Sequence, residues 1–399
     1  MTVRSKLPRV GTTIFTVMSQ RAAELQAINL GQGFPDYDID PRIGDLVHEA
    51  MRQGHNQYAP MSGMPQLREA IAAKLNRSYA VPIDPALEIT VTLGATEAIF
   101  SAVQALVAAG DEVIVFDPAY DSYEPAVQLA GGACIHVPLQ PPQFRYDWDR
   151  VKAALTDRTR LLIINSPLNP ACTCITAQDL AALAELLRGR DIHLIADEVY
   201  EHMVFDGRVH HSVLAVPELR QRSVAVFSFG KTLQSTGLRV GYAVAPPALT
   251  AELRKVHQFN TFTIATALQV AIARYLDERP DCGDGLLRFL GAKRDRLIGA
   301  LADSGLSMPR AEGSFFQLID YGALSDVPDT QFAEELLTRA RVATIPLSVF
   351  YQQAPPMTLL RLCFAKRDET LDEGAARLRT YARLRQGLTA APASSRTVS

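Results

Sequence analysis

Between residues 88 and 248 the chain alternates short apolar runs with stretches of helical period. Glu88–Leu93, Glu112–Phe116, Arg160–Asn165, Ile192–Ala196, Val224–Phe227 and Val240–Ala245 are rich in Val, Ile, Leu and Ala and show little alternation. A strand with one wet face alternates apolar and polar residues. A strand covered on both faces does not need to. The runs are therefore expected to form a mostly parallel sheet between helical layers. The intervening segments predict helices from about Thr96 to Ala109, Ser122 to Leu129 and Thr176 to Leu187, the last opened by a threonine cap. From about residue 285 the pattern changes. A helix near Leu286–Ser304, a strand at Phe315–Asp320, a helix near Thr330–Arg341, further strand-like segments and a last helix near Glu369–Arg385 make an α+β layout. The expected division is an N-terminal arm (1–45) joining the small domain, a large domain (46–284) and a small C-terminal domain (285–387). A tail (388–399) rich in Ala, Ser, Thr and Pro is expected to be disordered.

Composition narrows the function classes. A chain of 399 residues can bury a large core and hold two domains. Its net charge of -3 gives no electrostatic case for nucleic acid or an anionic membrane. The N-terminal residues have no signal-like apolar run, and no stretch reaches membrane-helix length. Five cysteines argue against a disulfide framework. Cys172 and Cys174 form a C-x-C pair, but no second Cys or His pair stands at zinc spacing, so no metal site is expected. The expectation is a soluble cytoplasmic protein.

The chemistry-bearing residues fall where strands end, which is where open α/β sheets place their ligands. Lys231 follows an apolar strand and Gly230, with Arg239 eight residues on. A lysine shielded there can lose its proton and condense with an aldehyde, and a nearby cation can hold an anion. Gly94-Ala95-Thr96 follows another strand and opens a helix, whose free N–H groups suit a phosphate. Asn169 stands in a turn fixed by Pro167 and Pro170. Asp197 ends a third strand, with Tyr200 three residues on. Singly each has a bland account: a surface lysine, a helix cap, a self-bonded turn. Together they supply an amine, a guanidinium, a phosphate site, an amide, a carboxylate and a phenol. That set matches pyridoxal phosphate, which carries an aldehyde, a phosphate, a phenolic oxygen and a pyridine nitrogen.

From about Gly11 to Arg385 the chain resembles the class I/II aminotransferases of fold type I. The resemblance rests on Asn29–Asp36, Asn56–Pro60, Asp117–Pro125, Asp197–Tyr200, the lysine segment, Ala343–Phe350 and Leu360–Phe364. It is most similar to the methionine, glutamine and kynurenine aminotransferase group. The resemblance implies an α/β fold with a mostly parallel seven-stranded sheet and a smaller α+β domain, pyridoxal 5'-phosphate as cofactor, and a homodimer with shared sites. It implies Lys231 as cofactor-bearing lysine and proton carrier, Asp197 at the pyridine nitrogen, and Tyr200 and Asn169 at the phenolic oxygen. Tyr120 would stack on the ring. Ala95, Thr96, Ser228 and Arg239 would hold the phosphate, with Tyr58 reaching from a second subunit. Arg361, with Gly33 and Asn169, would grip the substrate carboxylate. Phe15, and Phe262 from the partner, would wall the side-chain pocket.

Two departures bear on geometry. Many relatives place glycine where this chain has Cys172, which leaves the turn's backbone open to change while Asn169 and Pro170 remain. Relatives often have Trp-Lys where this chain has Leu238-Arg239, and arginine keeps the charge. The implied reaction moves an amino group from an L-amino acid (methionine, aromatic, glutamine or kynurenine) to a 2-oxo acid. The alternatives are a carbon–sulfur β-lyase using the same lysine and cofactor, and a non-catalytic regulator that keeps the fold.

Overall fold

A computed structural model describes residues 3–389. Contacts divide the chain into two compact units. The larger takes in Tyr37–Phe289, the segment up to Gly11 and Glu312–Ser314. The smaller takes in Thr12–Asp36, Leu290–Ala311 and the chain from Phe315 on. Residues 37–45, expected with the arm, pack in the larger unit. The helix Pro41–Arg52 lies against the helix Thr266–Glu278, where Arg42 pairs with Glu278 and the Tyr275 hydroxyl donates to Asp40 at 2.9 Å.

The larger unit is built on β1 (Ile89–Thr92), β2 (Glu112–Asp117), β3 (Ala133–Pro138), β4 (Thr159–Asn165), β5 (His193–Asp197), β6 (Ser223–Ser228) and β7 (Gly241–Val244). They form one seven-stranded sheet in the order β1-β7-β6-β5-β4-β2-β3. β7 runs antiparallel to both neighbours and every other pairing is parallel. Six of these strands are the apolar runs read from the sequence. β3 was not among them. It is an edge strand, largely half-buried, and its Ala-Cys-Ile-His-Val-Pro carries no strong pattern.

The helix Gly94–Leu106 shares a buried cluster with the sheet, where Ile99, Ala102 and Val103 meet Val115, Ile163, Ile195 and Val226. Burying each branched side chain is worth about 1.5–3 kcal/mol, so both faces of the sheet need cover. The helix Ala177–Leu187 starts at Thr176 with a capping box to Asp179, as its sequence predicts.

The smaller unit holds an antiparallel sheet of β8 (Phe316–Asp320), β9 (Ile345–Pro346) and β10 (Leu359–Cys363), in the order β9-β10-β8. Ile28–Asn29 pairs in parallel with Val342–Ala343. The helix expected near Thr330–Arg341 runs Asp329–Glu335 and closes in a wider turn, Leu336–Ala340, before Arg341 at φ 57°. The last helix spans Asp368–Thr389. Of the expected disordered tail, residues 388–389 belong to this helix and 390–399 lie outside the described residues. Among the described residues, no helix is long and apolar enough to cross a membrane.

Candidate active site

In the larger unit, strands β1, β2, β4, β5 and β6 deliver their following residues to one place. Gly94 opens the helix after β1 at φ +75°, in the left-handed region that favours glycine. A Cβ there would lie 2.6 Å from Arg239 Nη2. A Cβ on Gly241 would lie 2.8 Å from the Ala95 nitrogen. Two glycines thus let a helix N-terminus, a strand and a guanidinium converge. The first-turn N–H groups have no intrahelical partner, and the helix dipole and Arg239 add positive charge. Ser228 ends β6 opposite Gly241, and Lys231 lies in the single helical turn Phe229–Thr232 that follows. Lys231 Nζ is 5.8 Å from the centre of the Tyr200 ring.

Asp197 ends β5 and is buried. It accepts a 2.6 Å bond from the Tyr123 hydroxyl and a 3.4 Å bond from the Val199 N–H. Burial pushes its carboxyl up to about 6, although Tyr123, Val199 and the Lys231 charge pull it down. Tyr120 feels the charges of Asp197 and Arg239. Burial, then Asp121 and Asp197, push its phenol up to about 12. Its ring meets Tyr123 edge-on at 5.7 Å. The Asn169 loop is tied to the same place. Its N–H donates to Asn165 Oδ1 at 2.8 Å, and Asn165 Nδ2 donates to the Asp197 carbonyl at 2.8 Å.

The smaller unit carries a second constellation. Arg361 on β10 is buried and donates from Nη2 to the Gly31 carbonyl at 3.0 Å. Its guanidinium carbon lies 3.8 Å from the centre of the Phe316 ring, 5.0 Å from Phe15 and 5.7 Å from Phe350. A Cβ on Gly33 would lie 2.7 Å from Phe316 Cζ. Gly33, Phe15 and Arg361, singled out from sequence, therefore share one aromatic setting.

The family model described as aminotransferase class I and II matches residues 26–378. The chain belongs to the class I and II aminotransferases. It is 50% identical over 376 residues to the methionine aminotransferase of Escherichia coli (strain K12), covering 94% of this chain and 97% of that protein. It is 39% identical over 393 residues to the probable N-succinyldiaminopimelate aminotransferase DapC of Mycobacterium tuberculosis (strain ATCC 25618 / H37Rv), covering 96% of this chain and 99% of that one. The solved structure of YbdL from Escherichia coli, described with a methionine aminotransferase function, superposes with a TM-score of 0.94 at 50% identity. It covers 95% of this chain and 100% of that chain. The expected family and fold are borne out.

Within this aminotransferase, Ala95, Thr96, Tyr120, Asn169, Asp197, Tyr200, Ser228, Lys231 and Arg239 all fall at the strand ends of the larger unit. Tyr58 and Phe262 instead pack on each other, T-shaped at 5.5 Å, with Tyr58 85% and Phe262 41% exposed. Sequence reasoning gave no role to Tyr123, Asn165, Phe316 or Phe350. The recurrence of tyrosine three residues after Tyr120 was an available signal for Tyr123; the others depend on long-range register. Cys172 adopts φ 65°, the conformation that glycine favours, and its carbonyl accepts from Glu312 and Gly313 N–H at 2.9 and 3.1 Å. Burial, then Glu312, push the neighbouring Cys174 thiol up to about 12, which keeps it from acting as a thiolate near neutral pH. Among the described residues, no group of three His, Cys, Asp or Glu is placed to hold a metal ion.

Proposed function

We propose that this aminotransferase moves the amino group of an L-amino acid to a 2-oxo acid with pyridoxal 5'-phosphate as cofactor, and that L-methionine is its leading donor. The observation that carries the reading is the convergence of Asp197, Tyr120, Thr96, Arg239, Tyr200 and Lys231 at adjacent strand ends. The similarity to the Escherichia coli methionine aminotransferase supports the donor. Aromatic amino acids, glutamine and kynurenine remain donors to compare.

The residues present fit the cofactor. Asp197 is a buried carboxylate whose ionisation burial opposes, so a cationic ring N–H beside it would favour its charged form. Gly94 leaves the space beside Arg239 that a side chain would fill, which suits a phosphate at a helix N-terminus. When bound, the cofactor supplies a protonated ring that takes up the electrons released at the substrate Cα.

The chain's own groups do the rest. Asp197 keeps the ring nitrogen protonated, and Tyr123 keeps Asp197 oriented. Tyr200 and Asn169 hold the phenolic oxygen, and Tyr120 covers the ring face. Ala95, Thr96, Ser228 and Arg239 hold the phosphate. Lys231 Nζ would hold the cofactor and would carry the proton at the substrate Cα. Arg361 binds the α-carboxylate through its planar fork, Gly33 and Asn169 have a share in that grip, and Phe15 walls the side-chain pocket. The exposed Tyr58–Phe262 pair supports a homodimer in which both serve the partner's site. Five cysteines in 399 residues suit a reducing compartment, and the cytoplasm is the proposed location.

The test is a donor panel at saturating cofactor with a 2-oxo acid acceptor, read as 2-oxo acid product by mass spectrometry. The reading predicts product from methionine at the highest kcat/KM. No 2-oxo acid from any of the named donors would overturn it. Pyruvate and ammonia released from a cysteine conjugate without an acceptor would assign the β-lyase in its place.

A further inference from the structure

We infer that Phe316 is a positioning residue for carboxylate binding: its ring sets the Arg361 guanidinium and requires glycine at position 33. The inference rests on the reading of Arg361 as the group that binds the α-carboxylate. The register explains the placement. On the antiparallel pair β8–β10, Arg361 stands opposite Leu318. Phe316, two residues before Leu318, therefore shares its face and lies diagonal to Arg361, within reach of long side chains. The guanidinium carbon sits 3.8 Å from the Phe316 ring centre, closer than to Phe15 or Phe350. A guanidinium over a phenyl face is attracted by the ring quadrupole, and the contact fixes the plane of the fork. That plane decides whether both N–H groups can meet the two oxygens of a carboxylate.

The same ring limits the second element of the site. A Cβ on Gly33 would meet Phe316 Cζ at 2.7 Å and Cε1 at 3.1 Å. Gly33 needs to be glycine here because of this ring. The Asn29–Gly33 segment is already held against β10, since Cys363 N–H donates to the Leu30 carbonyl at 2.7 Å and Arg361 donates to Gly31. Asn29 Oδ1 closes the turn by accepting from Gly31 and Gln32 N–H at 3.1 and 3.0 Å. One phenyl ring thus touches the cation and sets the approach of the backbone beside it. Because every donor and every 2-oxo acid carries an α-carboxylate, Phe316 acts on both substrates and not on side-chain choice.

The test is steady-state kinetics of the holoenzyme with Phe316→Leu, Phe316→Met, Gly33→Ala, the Gly33→Ala/Phe316→Leu pair, and Arg361→Lys. Each variant is first matched to wild type in cofactor absorbance and melting temperature. Phe316→Met is used if Phe316→Leu fails to fold. The expected result is a rise of about tenfold, or 1.4 kcal/mol, in KM for donor and acceptor alike. Loss of uniform binding leaves kcat within about twofold. Gly33→Ala raises both KM values too. In the pair the penalties fall short of the product, because Leu yields space to the new Cβ. Unchanged KM values, a change confined to one substrate, or full multiplicativity would overturn the inference. If Arg361→Lys itself leaves both KM values unchanged, the carboxylate reading of Arg361 is what fails. If Arg361→Lys raises them and the Phe316 variants do not, only the role of Phe316 fails.

Discussion

The Tyr123 hydroxyl donates to Asp197 Oδ2 at 2.6 Å, joining two buried side chains 74 residues apart in the chain. Tyr123 opens the helix Tyr123–Leu129 and Asp197 ends β5, so the bond ties a helix start to a strand end. It favours the ionised carboxylate against the burial that opposes it.

A pH dependence of the cofactor-free protein follows. Asp197 is raised from its ordinary 3.8 to about 6. Between those values the folded state holds a proton that the unfolded state has released. Its contribution to stability is complete below the ordinary value and is lost as pH rises through about 6. Asp197→Asn removes this loss, and at neutral pH the cofactor-free variant gains on the order of 3 kcal/mol over wild type. Tyr123→Phe takes away a stabilising donor and extends the wild-type decline to higher pH. Urea unfolding across a pH series measures both.

Lys74 and Glu201 form a buried ion pair at 2.6 Å, and the Tyr79 hydroxyl donates to the second Glu201 oxygen at 2.6 Å. Burial pushes the Glu201 carboxyl up, but Lys74, His202 and the bonds from Lys74 and Tyr79 outweigh it and hold it at about 2. Lys74→Met leaves that charge uncompensated and costs about 3–5 kcal/mol. Lys74→Met/Glu201→Gln regains more than half, because both charges go together. The stability that Glu201 contributes is present above its ordinary 4.5 and is lost as pH falls toward about 2. Chemical denaturation of the two variants distinguishes a coupled pair from independent charges.

The convergence of Gly94 and Arg239 predicts a selective loss of cofactor. A Cβ on Gly94 would press on the guanidinium at 2.6 Å and occupy a left-handed backbone position. Gly94→Ala is expected to weaken pyridoxal phosphate binding at least about tenfold, or 1.4 kcal/mol. Arg239→Lys keeps the charge but loses the planar fork, and weakens binding less. Dialysis followed by absorbance titration with the cofactor reads the affinity directly. Equal affinity in Gly94→Ala and wild type would contradict the phosphate assignment.

Cys172 holds a conformation suited to glycine, φ 65°. A left-handed backbone costs an ordinary residue roughly 1–2 kcal/mol, and glycine's freedom in the unfolded chain returns part of that. Cys172→Gly is expected to stabilise by about 0.5 kcal/mol with activity kept, whereas the β-branched Cys172→Val destabilises by more than about 1 kcal/mol. Melting temperatures of both variants check the sign.

Much of this arrangement could be read from local pattern. Continuous apolar strands announce a covered parallel sheet, and Lys231, Asp197, Asn169 and Thr96 stand where such strands stop. The edge strand Ala133–Pro138 escaped notice because its burial is partial and its pattern weak. The helices at Pro41 and Pro65 begin with proline in the first turn, a signal left unused. Phe316, the Lys74–Glu201 pair and the pairing of Tyr123 with Asp197 were out of reach for another reason. Their partners lie far off in sequence, and only the register of strands and the packing of helices bring them together. The Cys172 turn adds a further case: its carbonyl accepts from the Glu312 and Gly313 N–H groups, partners far off in sequence that local pattern does not show.

The central claim is that Lys231 carries the proton chemistry of an amino-group transfer from methionine. The measurement is the visible absorbance of the cofactor-loaded protein before and after L-methionine, without an acceptor, with the 2-oxo acid product quantified beside it. The account predicts that the yellow band of the wild type fades as one equivalent of 4-methylthio-2-oxobutanoate appears per site. Lys231→Ala should form product at least about a hundredfold more slowly, the loss of a general base and acid. Conversion by Lys231→Ala at the wild-type rate, or a wild-type protein that takes up no pyridoxal phosphate, would contradict it.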